Sequence, residues 1–128
     1  MHQVLLAEDN KLNQVVAAGT LQKLGYAVHI VDGGVDAVEA YRQQTFDVVL
    51  MDIMMPDMDG YQATAEIRAI ERERGTATPI IGLSARAMEG DREIALEAGL
   101  NDYLTKPLRE DDLRGALERW IGAPVVSH

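Results

Sequence analysis

Asp52 closes the run Asp47-Val48-Val49-Leu50-Met51-Asp52, an apolar strand-like stretch that stops at a carboxylate and is followed at once by Pro56, Asp57 and Gly60. A carboxylate in that setting belongs at the mouth of a buried sheet, where α/β proteins place their chemistry. Three further polar signals have the same setting: Glu8-Asp9 after Val4-Leu5-Leu6-Ala7, Ser84 after Pro79-Ile80-Ile81-Gly82-Leu83, and Lys106 after Asp102-Tyr103-Leu104. Three crowded carboxylates repel one another, so at least one pKa should rise unless a cation sits among them. Oxygen donors with no His or Cys beside them favour Mg²⁺, with Mn²⁺ able to substitute. A carboxylate can also attack phosphorus and form an aspartyl phosphate. In that chemistry Asp52 is the candidate nucleophile, Lys106 a point charge on a phosphoryl oxygen and Ser84 a hydroxyl donor to another.

Each residue also has a plain reading. An acidic pair after a strand is often a solvated loop with an N-cap, Lys106 before Pro107 can be a turn lysine, and Ser84 can be a turn or cap serine. These readings weaken together, because all of them must hold at one edge of one sheet.

That edge follows from the alternation of elements. Val4–Ala7 is too short for a helix and suits a strand buried on both faces. Asn10 is a plausible N-cap for a helix over 11–24, with Leu12, Val15, Val16, Leu21 and Leu24 as inward positions and Gly25 as its stop. Residues 26–31 read as a second strand, Gly33-Gly34 as a turn, and 35–44 as a helix with Ala37, Val38 and Tyr41 on one face. The third strand is 47–51. A helix over 61–73 then runs out into Glu71-Arg72-Glu73-Arg74-Gly75, expected to be a solvated tail with a glycine stop. The fourth strand is 79–83, a small-residue helix covers 88–98, the fifth strand is 102–104, and a last helix spans 110–121 with Leu113, Leu117, Trp120 and Ile121 on one side. Strands alternating with helices predict a parallel sheet covered on both faces, with the ligand crevice outside the carboxyl ends of the strands.

Composition sets the outer bounds. The chain has 128 residues, 47% of them hydrophobic, enough for one domain with a core. It has no cysteine, which excludes disulfides, zinc–thiolate sites and cysteine nucleophiles. The net charge of −9, from 21 acidic and 12 basic residues, argues against direct nucleic-acid binding. No apolar run approaches the roughly 20 residues of a membrane span, and no signal peptide is visible. A cytoplasmic setting is expected.

These residues match a family. The chain resembles the receiver domain of two-component response regulators, through Glu8-Asp9-Asn10, Met51-Asp52-Ile53-Met54-Met55-Pro56-Asp57-Met58-Asp59-Gly60, Pro79-Ile80-Ile81-Gly82-Leu83-Ser84-Ala85 and Asp102-Tyr103-Leu104-Thr105-Lys106-Pro107-Leu108. The resemblance implies a flavodoxin-like doubly wound (βα)5 fold with a five-stranded parallel sheet in the order 2-1-3-4-5. It implies one receiver domain over 1–128, with a core of 3–121 and a short tail at 122–128. It implies that Asp52 accepts phosphate from a phosphohistidine on a partner. Asp9 and Asp52 would ligate Mg²⁺ directly, the main-chain carbonyl of Met54 would be a further ligand, and Glu8 would act through water. Ser84 and Lys106 would read the phosphoryl group, and Tyr103 looks like the switch aromatic that turns inward as Ser84 moves. Such a domain assists its own phosphorylation and dephosphorylation without being an enzyme in the usual sense.

Glu8-Asp9-Asn10-Lys11-Leu12-Asn13-Gln14, the Met-Asp-Ile-Met-Met-Pro stretch, and Asp91-Arg92 with Ala98-Gly99 look most like receivers carried on hybrid sensor histidine kinases. The resemblance then implies a histidine kinase, a histidine phosphotransfer domain, or both, as partners. The alternative is a stand-alone response regulator that acts by phosphorylation-dependent protein binding. The last helix could also support a weak dimer, although its leucines suit a core better. Met54 lies two residues past Asp52 and Arg86 two past Ser84. An apolar Met54 cannot orient an attacking water, and Arg86 could cover the phosphoryl group, so a long-lived aspartyl phosphate is expected. Gly82 and Gly33-Gly34 depart from the commonest family pattern and are not expected to touch the site. A haloacid-dehalogenase phosphatase would want an aspartate where Met54 stands. A flavodoxin-type cofactor binder would need a phosphate-cradling loop where Glu8-Asp9 would repel phosphate.

Overall fold

The computed structural model describes residues 2–85 and 90–122. Arg86, the expected helix start at 88–89 and tail residues 123–128 lie outside the described residues. The elements are β1 (Gln3–Ala7), α1 (Lys11–Lys23), β2 (Ala27–Val31), α2 (Gly34–Gln43), β3 (Val48–Asp52), α3 (Gly60–Arg74), β4 (Ile80–Ser84), α4 (Asp91–Glu97), β5 (Asp102–Thr105) and α5 (Glu110–Ile121). The strands form one parallel sheet in the order β2-β1-β3-β4-β5, as the resemblance implies.

The central strands β3 and β4 are buried at every position, as continuous apolar runs predict for strands covered on both faces. Successive side chains go to opposite faces. Leu5, Val49, Met51 and Ile80 pack under α2, α3 and α4, whereas Val4, Leu6, Leu50 and Ile81 pack under α1 and α5 with Leu21, Leu113 and Leu117. Register aligns Ala7 with Met51, Asp52 with Leu83, and Ser84 with Thr105. The carboxyl ends of β1, β3, β4 and β5 therefore lie side by side.

Two expectations are corrected. Leu12, Val15 and Val16 do not face the core; they are 71%, 69% and 55% exposed. The inward stripe of α1 is Gln14, Ala17, Ala18 and Leu21, which has the 3-and-4 spacing of one helix face. A polar residue occupies it because the Gln14 amide finds acceptors inside. The second correction is the end of α3. Glu71 is buried rather than solvated. It accepts hydrogen bonds from Arg68 Nη1 (2.5 Å), the Tyr41 hydroxyl (2.8 Å) and the Thr78 N–H (2.5 Å). Arg68 also reaches the Thr78 and Gly99 carbonyls and Asn101 Oδ1. The network ties α2 and α3 to the starts of β4 and β5.

A second buried carboxylate organises the far edge. Asp102, at the start of β5, accepts from Trp120 Nε1 at 2.9 Å and pairs with Arg92 of α4 at 3.0 Å and Arg119 of α5 at 3.2 Å. Burial acts to raise its pKa, but these donors outweigh it and hold the carboxyl below its usual range. On α5, Leu113 and Leu117 are fully buried, and Trp120 and Ile121 pack partly exposed against the same core.

Candidate functional site

Four strand ends deliver the predicted side chains to one place. β1 stops at Ala7, and the chain turns through Glu8 and Asp9 before Asn10, whose side chain accepts from the Asn13 N–H and starts α1. Glu8 is buried and Asp9 exposed. Asp52 is the last residue of β3 and is 3% exposed. Ser84 ends β4 and is also buried. Lys106 follows β5, its N–H donating to the Ser84 carbonyl at 2.7 Å.

The carboxylates of Glu8, Asp9 and Asp52 offer ligand atoms all within 4.8 Å of one another. Lys106 Nζ lies 2.6 Å from Glu8 Oε1 and 3.1 Å from Asp52 Oδ2. One ammonium thus serves two buried carboxylates. Burial, then the neighbouring Glu8, push the Asp52 carboxyl up to about 7, against the partial relief Lys106 gives. Burial also acts to raise Glu8, but hydrogen bonds from Asp52 and Lys106 outweigh it and leave Glu8 below the usual range. Lys106 is raised: burial opposes its charge, and the two carboxylates more than compensate. One carboxylate of the cluster is lifted, as expected, and it is Asp52, with burial the larger cause and the crowding by Glu8 the lesser.

The loop after β3 is held against Asp52. The Met54 N–H donates to Asp52 Oδ1 at 3.3 Å, and the Gly60 N–H donates to the Ile53 carbonyl at 2.9 Å. A Cβ at Gly60 would lie 2.6 Å from the Asp52 carbonyl, so only glycine lets α3 start this close to the strand end. Asp59 and Gln62 close a capping box there. Met54 itself is exposed. Ser84 and Tyr103 line one cavity together with Ile53, Met54, Tyr61, Asp91 and Ile94.

Sequence reading missed two residues that support this edge. Gln14 donates through Nε2 to the Glu8 carbonyl and to Asp32 Oδ1, both at 2.6 Å. Asp57 accepts from the Gly34 and Val35 N–H groups, both at 3.2 Å. The available signal for Gln14 was a polar residue in phase with Ala17, Ala18 and Leu21. Asp57 gave none, since its partners lie 22 and 23 residues away.

An acidic cluster with one lysine at the carboxyl edge of a 2-1-3-4-5 sheet defines a class, and comparison with known proteins names it. Residues 4–118 match the response regulator receiver domain family, and the chain belongs to that family. The chain is 44% identical over 121 residues to the sensor protein GacS of Pseudomonas syringae pv. syringae, and 39% identical over 124 residues to the histidine kinase BarA of Escherichia coli K12. These alignments take in 94% and 97% of this chain but only 13% of either kinase. Among solved structures, the receiver domain of the sensor histidine kinase PA1611 from Pseudomonas aeruginosa, with magnesium coordinated in its active-site cleft, is 48% identical with a TM-score of 0.85, covering 95% of this chain and 98% of that one. The receiver domain of Saccharomyces cerevisiae Ssk1, crystallised with the histidine phosphotransfer protein Ypd1, is 30% identical with a TM-score of 0.88, covering 94% and 88%. Among the described residues no helix is long and apolar enough to cross a membrane.

Proposed function

We propose that this receiver domain takes a phosphoryl group from a phosphohistidine onto Asp52 within a phosphorelay. The carrying observation is the convergence of Glu8, Asp9 and Asp52 within 4.8 Å of one another, with Lys106 Nζ against Glu8 and Asp52. An Asp52 carboxylate oxygen attacks phosphorus, the phosphorus–nitrogen bond breaks, and the imidazole leaves as an acyl phosphate forms. Lys106 offsets charge on the transferred oxygens, and the Ser84 hydroxyl donates to another. The all-oxygen donor set fits Mg²⁺, and a carboxyl lifted to about 7 is one that a divalent cation would favour in its charged form. Asp9 and Asp52 would hold the ion directly, Met54 through its main-chain carbonyl and Glu8 through water. Bound there, the ion supplies neutralisation of phosphoryl charge.

Incubation with Mg²⁺ and acetyl phosphate, followed by intact mass measurement, tests this. A phosphoryl adduct that disappears in Asp52→Asn is expected; no adduct, or one that survives the substitution, overturns the reading.

We further propose that the domain belongs to a hybrid sensor kinase and exchanges phosphate with a histidine phosphotransfer domain. Support comes from the similarity to hybrid-kinase segments and from the α1 surface. Leu12, Val15 and Val16 are exposed, and Leu12 and Val16 line an apolar groove with Pro107 and Leu108 that runs up to Lys106 and Glu8. An apolar patch beside the phosphoacceptor is where a helical phosphohistidine carrier would seat. The cavity shared by Ser84 and Tyr103 favours, as a second reading, a conformational switch that a stand-alone regulator would use. Exposed Met54 is proposed to lengthen the acyl phosphate lifetime, and Arg86 is proposed to assist it. A weak dimer through the last helix would have to use residues other than Leu113 and Leu117, which are buried in the core.

A further inference from the structure

The turn between β2 and α2, residues 32–35, contributes no ligand to the site, yet both acidic loops are fastened to it. On one side, the Glu8 N–H donates to the Val31 carbonyl at 3.1 Å, and buried Gln14 bridges the Glu8 carbonyl and Asp32 Oδ1 at 2.6 Å each. Lys11 Nζ adds a 2.9 Å contact to the same Asp32 oxygen. On the other side, the Asp57 carboxylate takes the Gly34 and Val35 N–H groups. Gly33 at the N-cap of α2 has no side chain to do so, so the loop after β3 caps a helix belonging to another unit.

The fit is close. A Cβ at Gly33 would stand 2.6 Å from Asp57 Oδ2, and one at Gly34 would run into the Met58 backbone. Gly33 is extended, with φ −167 and ψ 178, a conformation open to any residue. A Cβ at Gly33 would compete for the space that Asp57 fills, so the Gly33-Gly34 pair touches Asp57 and Met58 rather than a predicted site residue.

We infer that the turn 32–35 is a brace that sets the separation of the β1–α1 and β3–α3 loops, with Gln14 and Asp57 as positioning residues for the cation ligands those loops carry. This rests on the reading of Glu8 and Asp9 in the first loop, and of the Met54 carbonyl in the second beside Asp52 at the end of β3, as such ligands. A small, rigid divalent ion demands near-octahedral geometry, and a site loosened by fractions of an ångström loses affinity. A change in a loop that touches no ligand side chain should therefore weaken cation binding.

Titration with Mn²⁺, read by electron paramagnetic resonance of the free ion, tests the brace directly. Asp57→Ala is expected to weaken binding by about tenfold, the low end for partners that orient metal ligands. Asp57→Asn keeps one acceptor oxygen and recovers most of the loss. Gly33→Ala weakens binding alone but adds little in the Asp57→Ala background, because both break one contact. With acetyl phosphate, the variants regain wild-type phosphorylation rates at saturating Mg²⁺ and lag only at limiting Mg²⁺. Should Asp57→Ala fail to fold, Gly33→Ala carries the same comparison. Affinity unchanged in folded Asp57→Ala or Gly33→Ala, or rates lost equally at saturating Mg²⁺, overturns the brace. A wild-type protein that does not bind Mn²⁺, or binds it undiminished in Asp9→Ala, overturns the ligand reading and the brace with it.

Discussion

Glu71 and Asp52 are carboxylates of nearly equal burial, 4% and 3% exposed, at opposite ends of the same sheet. At the amino edge Glu71 pairs with the Arg68 guanidinium, whose other acceptors are neutral, and has two further donors, Tyr41 and the Thr78 N–H. Burial acts to raise it, the donors outweigh burial, and its carboxyl lies below the usual range. At the carboxyl edge Asp52 shares one lysine with Glu8 and rises to about 7. Burial alone does not decide the direction; the ratio of donors to acceptors does. One edge is closed by its own partners. The other keeps an excess of negative charge that a cation from outside can offset.

The sharpest way to break this contrast is to open the closed edge. Arg68→Ala leaves Glu71 buried without its counter-ion, and urea unfolding should show a loss of about 3–5 kcal/mol. A loss as small as that of a surface ion pair would mean the two edges do not differ as described.

The next test uses pH. Asp52 has a folded pKa above its unfolded value of 3.8, so its contribution is fully present below pH 3.8 and is lost as pH rises through about 7. Glu71 has the opposite sign. Its contribution is present above 4.5 and is lost as pH falls through its lowered folded value. Without metal, Asp52→Asn should therefore be more stable than wild type by about 2 kcal/mol at pH 8 and nearly equal near pH 4. Mg²⁺ should reduce that gap by stabilising the wild type. Equal stabilities across the range, measured by chemical unfolding at each pH, would remove the claim that Asp52 is held at a cost.

The smallest effect on stability is expected on α1. Val16→Asp should alter folding by no more than about 0.5 kcal/mol, as for an exposed site. The same substitution should slow phosphoryl transfer from a histidine phosphotransfer protein while leaving acetyl phosphate labelling intact. Rates equal for both donors would detach the apolar patch from the open edge.

The strand ends were readable because buried parallel strands are continuous apolar runs, and a carboxylate, serine or lysine interrupts them visibly. That alternation predicts the parallel sheet covered on both faces; the order 2-1-3-4-5 came from the family resemblance that the motifs carry. The failures share a cause. On α1, apolar residues cover two overlapping stripes, and periodicity alone selected the one containing Leu12, Val15 and Val16. The correct stripe was disguised by Gln14, whose acceptors at Glu8 and Asp32 exist only after folding. Glu71 looked like part of a charged tail because Tyr41 and Thr78 are 30 and 7 residues away. Gly33 looked like a turn glycine because Asp57 is remote in sequence. Polar side chains satisfied over long separations carry little local signature.

Trp120 is the only tryptophan in the chain, and its indole N–H rests on Asp102, the residue before Tyr103. The protein thus carries an optical gauge wired to β5. A lone fluorophore with a fixed negative charge at its pyrrole nitrogen reports the local field, and both Arg92 and Arg119 help to set that field. Movement of α4, which carries Arg92, would alter the emission with no dye attached, so kinetics at this edge can be followed in the unlabelled molecule.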